Sequence, residues 1–388
     1  MKIKPHALKL NINVPSSKSY LHRALICAAL CGNNCVIHNV YFSQDIKATF
    51  NGLIELGWDF EINDSDIISK GYRKKENFVP LIDCKESAST IRFLIPFSLC
   101  FYEECNFKMG ESLAKRPLEE YYKIFESQNI KYKLENNVLK IKGNLKSGNF
   151  LLQGDISSQF VSGLLMSLPI LKGDSYIVLD NFPVSKSYID ITLDVLKNFG
   201  ISIVYGDKVY IKGNQNYVCN EYFPPGDWSA GAFWHILKIC HNIKLNNLDY
   251  DNPQSDKVII KLLNNLPEKW SCRNAPDLVP CLVAYLIATN QEITILDCER
   301  LKYKESDRLN GLKEFKKLGG NIEIYDDKIV IRKSEKLQSG FVKTFNDHRL
   351  IMAFAVFAYL TNLEIEIDES EGIKKSYPEL FQILGEIQ

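Results

Sequence analysis

The sequence lacks an excess of charge of either sign: Lys and Arg total 47, and Asp and Glu total 47, in 388 residues. Nucleic acid or an anionic membrane is therefore not the expected main partner. Long apolar stretches are also missing. No apolar run exceeds Leu350–Leu360, which is too short to span a bilayer. Met1–Pro5 shows neither the apolar core of a secretory signal nor a Ser- and Arg-rich transit lead, so the expectation is a cytoplasmic chain. There is no Gly-x-Gly-x-x-Gly, no Walker phosphate loop, no His-Glu-x-x-His and no hydrolase nucleophile elbow. Cofactor-dependent and zinc-dependent classes are thus not indicated, and the expectation is no cofactor and no metal. The 11 cysteines are odd in number, scattered and unpaired in sequence. They read as reduced core residues. Cys27, Cys31 and Cys35 have ligand-like spacing, but no His-rich segment accompanies them.

What is present is repetition. Six polar heads each run into roughly a dozen apolar residues. The heads are Ser16–Ser19, Glu86–Thr90, Asp155–Gln159, Gly226–Ser229, Asn274–Asp277 and Asn346–Arg349. Four of the five gaps are about 70 residues and the fourth is nearer 50, the mark of one folding unit used repeatedly. Segments such as Leu25–Leu30, Val161–Met166 and Ile351–Phe357 are apolar nearly all round, which predicts buried helices. Amphipathic helices are expected over 45–56, 118–127, 189–199, 256–263, 307–318 and 378–384, three of them closed by Gly57, Gly200 and Gly319. Hairpins are expected for 201–205 with 208–212 and for 322–325 with 328–331. The short fourth gap suggests trimmed strands in that unit. The segment Cys219–Gly226, with Pro224-Pro225, reads as a linker.

A helix start favours anions through its unpaired N–H groups and dipole. Ser, Asp and Asn there are also ordinary caps, and for any single head capping is the better reading. The heads gain interest from their basic residues: Lys18, Arg23, Arg92, Arg116, Lys186, Lys304, Arg308, Arg349 and Lys375. Arg suits a two-pronged grip on carboxylate or phosphate. The residues alone thus point to a cleft between two domains that takes small polyanions.

Pro15-Ser-Ser-Lys18-Ser19-Tyr-Leu-His-Arg23 resembles the opening signature of the 5-enolpyruvylshikimate-3-phosphate synthases. Further matches follow in family order: Glu86–Arg92, Arg116-Pro117, Gly154–Gln159, Ser185–Asp190, Ala275–Asp277, Lys304–Arg308, Asn346–Arg349 and Lys375–Pro378. The resemblance implies an α/β fold of two inside-out domains, each of three repeated βαβαββ-type units around buried helices. Residues 1–13 with 225–388 would form the first domain and 14–224 the second, with hinge crossovers near 13–15 and 222–226 that allow closure. It also implies transfer of the enolpyruvyl group of phosphoenolpyruvate to shikimate 3-phosphate, by a monomer. Phosphoenolpyruvate would be held by Lys18, Arg116, Gln159, Arg308, Arg349 and Lys375, beside Ala88. Shikimate 3-phosphate would be held by Lys18, Ser19, Arg23, Ser157, Ser158, Gln159, Ser185, Tyr188 and Lys304, with Asp277 at its reacting hydroxyl. Asp277 would be the base and Glu305 the acid, with Lys18 stabilising charge.

Ala88 stands where many members carry Gly; its methyl narrows the pocket and implies weak inhibition by glyphosate. Glu86 and Arg300 have no assigned role, and Lys186 is a nearby candidate for the phosphate of shikimate 3-phosphate. A UDP-N-acetylglucosamine enolpyruvyl transferase is the nearest enzyme rival, but Glu111 occupies the place of its Cys before Arg116-Pro117. A binding-only paralogue is the other alternative, disfavoured by the joint presence of Asp277, Glu305 and Lys18.

Overall fold

In the computed structural model the described residues are 1–32, 34–153, 157–181 and 186–385. The chain divides into two compact units. Unit 1 is Met1–Pro15 with Gly226–Gln388, and unit 2 is Ser16–Pro225.

The helices in chain order are α1 Lys18–Leu30, α2 Gln44–Glu55, α3 Ala88–Ser98, α4 Glu119–Gln128, α5 Ser158–Ser167 and α6 Lys186–Asn198 in unit 2. Unit 1 adds α7 Trp228–Leu237, α8 Ile259–Asn264, α9 Val279–Ala288, α10 Arg308–Leu312, α11 His348–Thr361 and α12 Leu380–Ile383. The six helices that follow the polar heads are α1, α3, α5, α7, α9 and α11, and each is buried along most of its length. Their all-round apolar composition requires this, since no face of them is suited to water. In unit 2, α3 packs on α5; in unit 1, α11 packs on both α9 and α7. Four of the six heads cap through a side chain: Ser87 Oγ accepts from Thr90 N at 3.2 Å, Ser157 Oγ from Gln159 N at 3.3 Å, Asp227 Oδ1 from Ala230 N at 3.0 Å and Asp347 Oδ1 from Arg349 N at 2.9 Å, whereas Ser17 and Ala275, at the cap positions of the other two heads, give no such bond.

Four sheets share one order. Leu81–Asp83, Glu104–Lys108, Val138–Lys142 and Lys131–Glu135 lie side by side, the first pair parallel and the rest antiparallel. The same order recurs in Asn149–Leu152, Ser175–Leu179, Lys208–Ile211 and Ile203–Tyr205. It recurs in Lys269–Ser271, Ile293–Leu296, Lys328–Ile331 and Ile322–Ile324. Glu221–Tyr222, Val36–Ile37, Asp66–Tyr72 and Trp58–Asn63 complete the set. The two expected hairpins are therefore present, a residue or two shorter than the sequence suggests.

The fourth unit is trimmed as its short gap implies. Asn242–Asn246 pairs in parallel only with Lys9–Asn13, and among the described residues no hairpin lies between α8 and Lys269–Ser271. Three amphipathic helices are shorter than their sequence pattern. The first begins as a 3-10 turn at Ser255–Val258, the second passes into one over Lys313–Leu318, and the last shrinks to α12. Gly319 closes the second at φ +85°, and a Cβ there would lie 2.0 Å from the Lys336 carbonyl oxygen. Only glycine fits that close approach. Among the described residues no helix is long and apolar enough to cross a membrane.

Candidate functional site

In unit 1 the site is built around Arg308, at the start of α10 and 2% exposed. Its Nε donates to Asp347 Oδ2 at 2.8 Å and its NH1 to Asp277 Oδ1 at 2.6 Å. Asp277 sits in the 3-10 turn Pro276–Leu278 that opens α9, and Lys304 Nζ lies 3.3 Å from the same Oδ1. Burial pushes the Asp277 carboxyl up, but Lys304, Arg308 and Arg349 together hold it well below its usual range. Burial pulls the Lys304 ammonium down; Asp277 opposes this, and Arg300 and Arg308 add to the lowering.

Asp347 is fully buried and serves three partners. It accepts from Arg308, from Ser306 Oγ at 3.0 Å and from the Arg349 backbone N–H. It therefore fixes the head of α11 and the Lys304–Arg308 segment in one arrangement. Arg349 is 5% exposed, and its charged form is opposed by burial but favoured more strongly by Asp277, Asp227 and Asp256 together. Glu305 Oε2 lies 2.8 Å from His348 Nδ1 and 3.9 Å from Lys375 Nζ. Lys375 also donates to the Asn346 carbonyl at 3.2 Å. The Glu305 carboxylate and the His348 ring are thus within hydrogen-bond distance. Glu305, Asp347 and His348 have metal-like spacing. Arg308 and Lys375 already face two of these carboxylates, so the group reads as an ion-pair assembly.

In unit 2, Lys18 opens α1 and its Nζ is 2.9 Å from Asp45 Oδ2 in the first turn of α2. Arg23 is 2% exposed. It donates to Thr192 Oγ1 at 2.7 Å, the Ser19 carbonyl at 2.7 Å, Ser162 Oγ at 3.1 Å and the Tyr188 carbonyl at 3.1 Å. Four of the five guanidinium donors thus serve the protein, and Arg23 fixes the backbones of Ser19 and Tyr188. Gln159 accepts from Arg92 NH1 at 2.7 Å and donates to Ser89 Oγ at 3.0 Å. Arg92 reaches further, to the Pro117 carbonyl at 2.9 Å. Arg116 follows the 3-10 turn Leu113–Lys115 in extended conformation. Ser157 caps α5 and Ser158 is buried at its start. Ala88 is the first residue of α3 and is 9% exposed. Lys186 Nζ is 2.5 Å from Asp190 Oδ1. Ser185, with Gly154, Asp155 and Ile156 of the same motifs, lies outside the described residues.

Unit 1 thus gathers Asp277, Lys304, Glu305, Arg308, Arg349 and Lys375, and unit 2 carries Lys18, Ser19, Arg23, Ala88, Arg116, Gln159, Ser157, Ser158 and Tyr188. Sequence reasoning missed Asp45 and Asp347 and left Arg92 without a role. Asp347 had a signal in its place within the Asn346–Arg349 head, where a cap was the simpler reading. Asp45 had none beyond a helix start.

The EPSP synthase (3-phosphoshikimate 1-carboxyvinyltransferase) family model matches residues 3–271 and 264–384. A 3-phosphoshikimate 1-carboxyvinyltransferase of Clostridium perfringens is 39% identical over 415 residues, covering 99% of this chain and 98% of that protein. One of Clostridioides difficile is 36% identical over 418 residues, covering 98% and 96%. The solved EPSP synthase of Acinetobacter baumannii has a TM-score of 0.81 at 19% identity, covering 99% of this chain and 97% of that one. That likeness speaks for the fold alone.

Proposed function

The chain belongs to the EPSP synthase, or 3-phosphoshikimate 1-carboxyvinyltransferase, family, and from that premise we propose how its residues divide the work. The reaction moves the enolpyruvyl group of phosphoenolpyruvate to the 5-hydroxyl of shikimate 3-phosphate and releases phosphate. Asp277 takes the hydroxyl proton as the oxygen attacks C2 of phosphoenolpyruvate, while Glu305 gives a proton to C3. The product is a tetrahedral ketal phosphate. Phosphate leaves with its bonding pair, and loss of one methyl proton restores the enol ether.

Lys18, Arg116, Arg308, Arg349 and Lys375 are assigned to neutralise the carboxylate and phosphate of phosphoenolpyruvate, and Gln159 to hydrogen-bond it. Ser19, Arg23, Ser157, Ser158, Ser185 and Tyr188 take shikimate 3-phosphate, Arg23 acting largely through the backbones it fixes. A carboxylate held low by three cations is a weak base in the free protein. Phosphoenolpyruvate draws off part of that positive field and makes Asp277 a better one. His348, in contact with the Glu305 carboxyl, keeps it turned. The protein is taken to act as a cytoplasmic monomer.

The observation that carries this reading is the placement of Asp277 and Glu305 in one unit with separate partners, one on Lys304 and Arg308, the other on His348 and Lys375. A binding-only paralogue needs no such pair. Asp277→Asn and Glu305→Gln are each expected to lower kcat by about 10²–10⁴-fold, with both substrates still bound. Turnover near the wild-type rate in either variant would remove that residue from the chemistry. Ala88 is read as narrowing the phosphoenolpyruvate pocket: Ala88→Gly should tighten glyphosate inhibition, and an unchanged inhibition constant would refute the idea.

A further inference from the structure

Glu86 has no part in the roles above, yet its carboxylate organises the segment that ends in Arg116. The 3-10 turn Leu113–Lys115 has Ser112 at its head, and Ser112 gives it no side-chain cap. Glu86 does so from another segment: its Oε2 accepts from Leu113 N at 2.7 Å and its Oε1 from Ser112 N at 3.4 Å. The first is short enough for a charge-assisted bond. The second is at the long limit and contributes less. The chain makes room for this carboxylate. A Cβ on Gly110 would lie 2.1 Å from Glu86 Oε1 and 2.5 Å from its Cδ. Gly110 N also donates to the Lys85 carbonyl at 2.7 Å, and Ala114 N to the Gly110 carbonyl at 3.0 Å.

Glu86 stands two residues before Ala88, at the head of α3. It therefore ties the α3 head to the turn that delivers Arg116. Arg92, one turn into α3, holds the other side of Arg116 through the Pro117 carbonyl. Residues 113–117 are thus gripped at both ends by side chains from a single segment.

We propose that Glu86 is a positioning residue for phosphoenolpyruvate: it sets Arg116 against the head of α3 and so governs affinity for that substrate and not for shikimate 3-phosphate. The proposal rests on the Arg116 role assigned above. Gln in place of Glu86 keeps one acceptor for Leu113 N, whereas Ala removes both and leaves two turn amides without their partner.

The test is steady-state kinetics with each substrate varied, on wild type, Glu86→Gln and Glu86→Ala, together with amide exchange over residues 110–117. Glu86→Ala should raise KM for phosphoenolpyruvate about tenfold or more, the scale of a lost charge-assisted hydrogen bond. KM for shikimate 3-phosphate and kcat should stay within about threefold, Glu86→Gln should fall between, and exchange at Ser112 and Leu113 should rise in the Ala variant. An unchanged KM for phosphoenolpyruvate would overturn the proposal. So would a joint loss of kcat and both affinities that Gln does not rescue, since that marks a general structural role. If wild type gives no enolpyruvyl product, the assigned activity fails instead. Exchange at Ser112 and Leu113 then still decides whether Glu86 holds the turn, and unchanged exchange would overturn that as well.

Discussion

Asp256 is 4% exposed and follows the head of α7 in space, where Ser229 Oγ donates to its Oδ2. Burial first, then the Asp277 charge, push its carboxyl up to about 6, against the pull of Ser229 and Arg349. An acid raised on folding stabilises the protein below its unfolded value and loses that contribution as pH rises through the folded one. Stability should therefore fall by on the order of 2 kcal/mol between pH about 4 and about 6 from this group alone. Asp256→Asn should flatten that part of the profile, measured by denaturant unfolding at a series of pH values. A profile identical to wild type would show that Asp256 is ionised throughout. At this scale the sequence reveals residue types and little about partners. Lys304, Glu305 and Arg308 are legible as a charged cluster. The bond from Arg308 to Asp347 joins residues 39 apart in the chain and depends on how α10 meets α11. The same holds for Lys18 with Asp45 and for Glu86 with Leu113, which are pairings set by tertiary contact.

Among the elements, the six buried helices are the most legible, because a helix with no polar face has only one place to go. The amphipathic helices after Gln254, Ser306 and Tyr377 are less so. Their apolar spacing is satisfied by 3-10 turns as well as by α-helix, and packing decides between them. The first strands of the chain were not legible at all. Lys2–Ile3 pairs antiparallel with Ile365–Ile367, and Lys9–Asn13 pairs in parallel with Asn242–Asn246. They fill sheet positions that the fourth and sixth repeats do not supply from their own sequence. Deleting residues 1–13 should accordingly expose two sheet edges in unit 1 and leave unit 2, which is continuous from Ser16 to Pro225, intact. Amide exchange should show lost protection at 242–246 and 365–367 with the helices of unit 2 still protected. Equal loss in both units, or in neither, would contradict this assignment of the strands.

Over the whole chain, two features make the architecture readable: a repeat of about 70 residues and a set of short motifs in fixed order. The repeat is a statement about packing, since each unit buries one apolar helix against its neighbours. The motifs are a statement about chemistry, since they put the cations and the two carboxylates at the helix heads. Neither is conveyed by composition, whose balanced charge conceals how many cations converge on a few positions. Phosphate release from phosphoenolpyruvate, followed with and without shikimate 3-phosphate, tests the assigned activity most directly. Release that requires the shikimate ester, one phosphate for each enolpyruvyl ester formed, is the expected result. Folded protein that binds both compounds and releases no phosphate would contradict it.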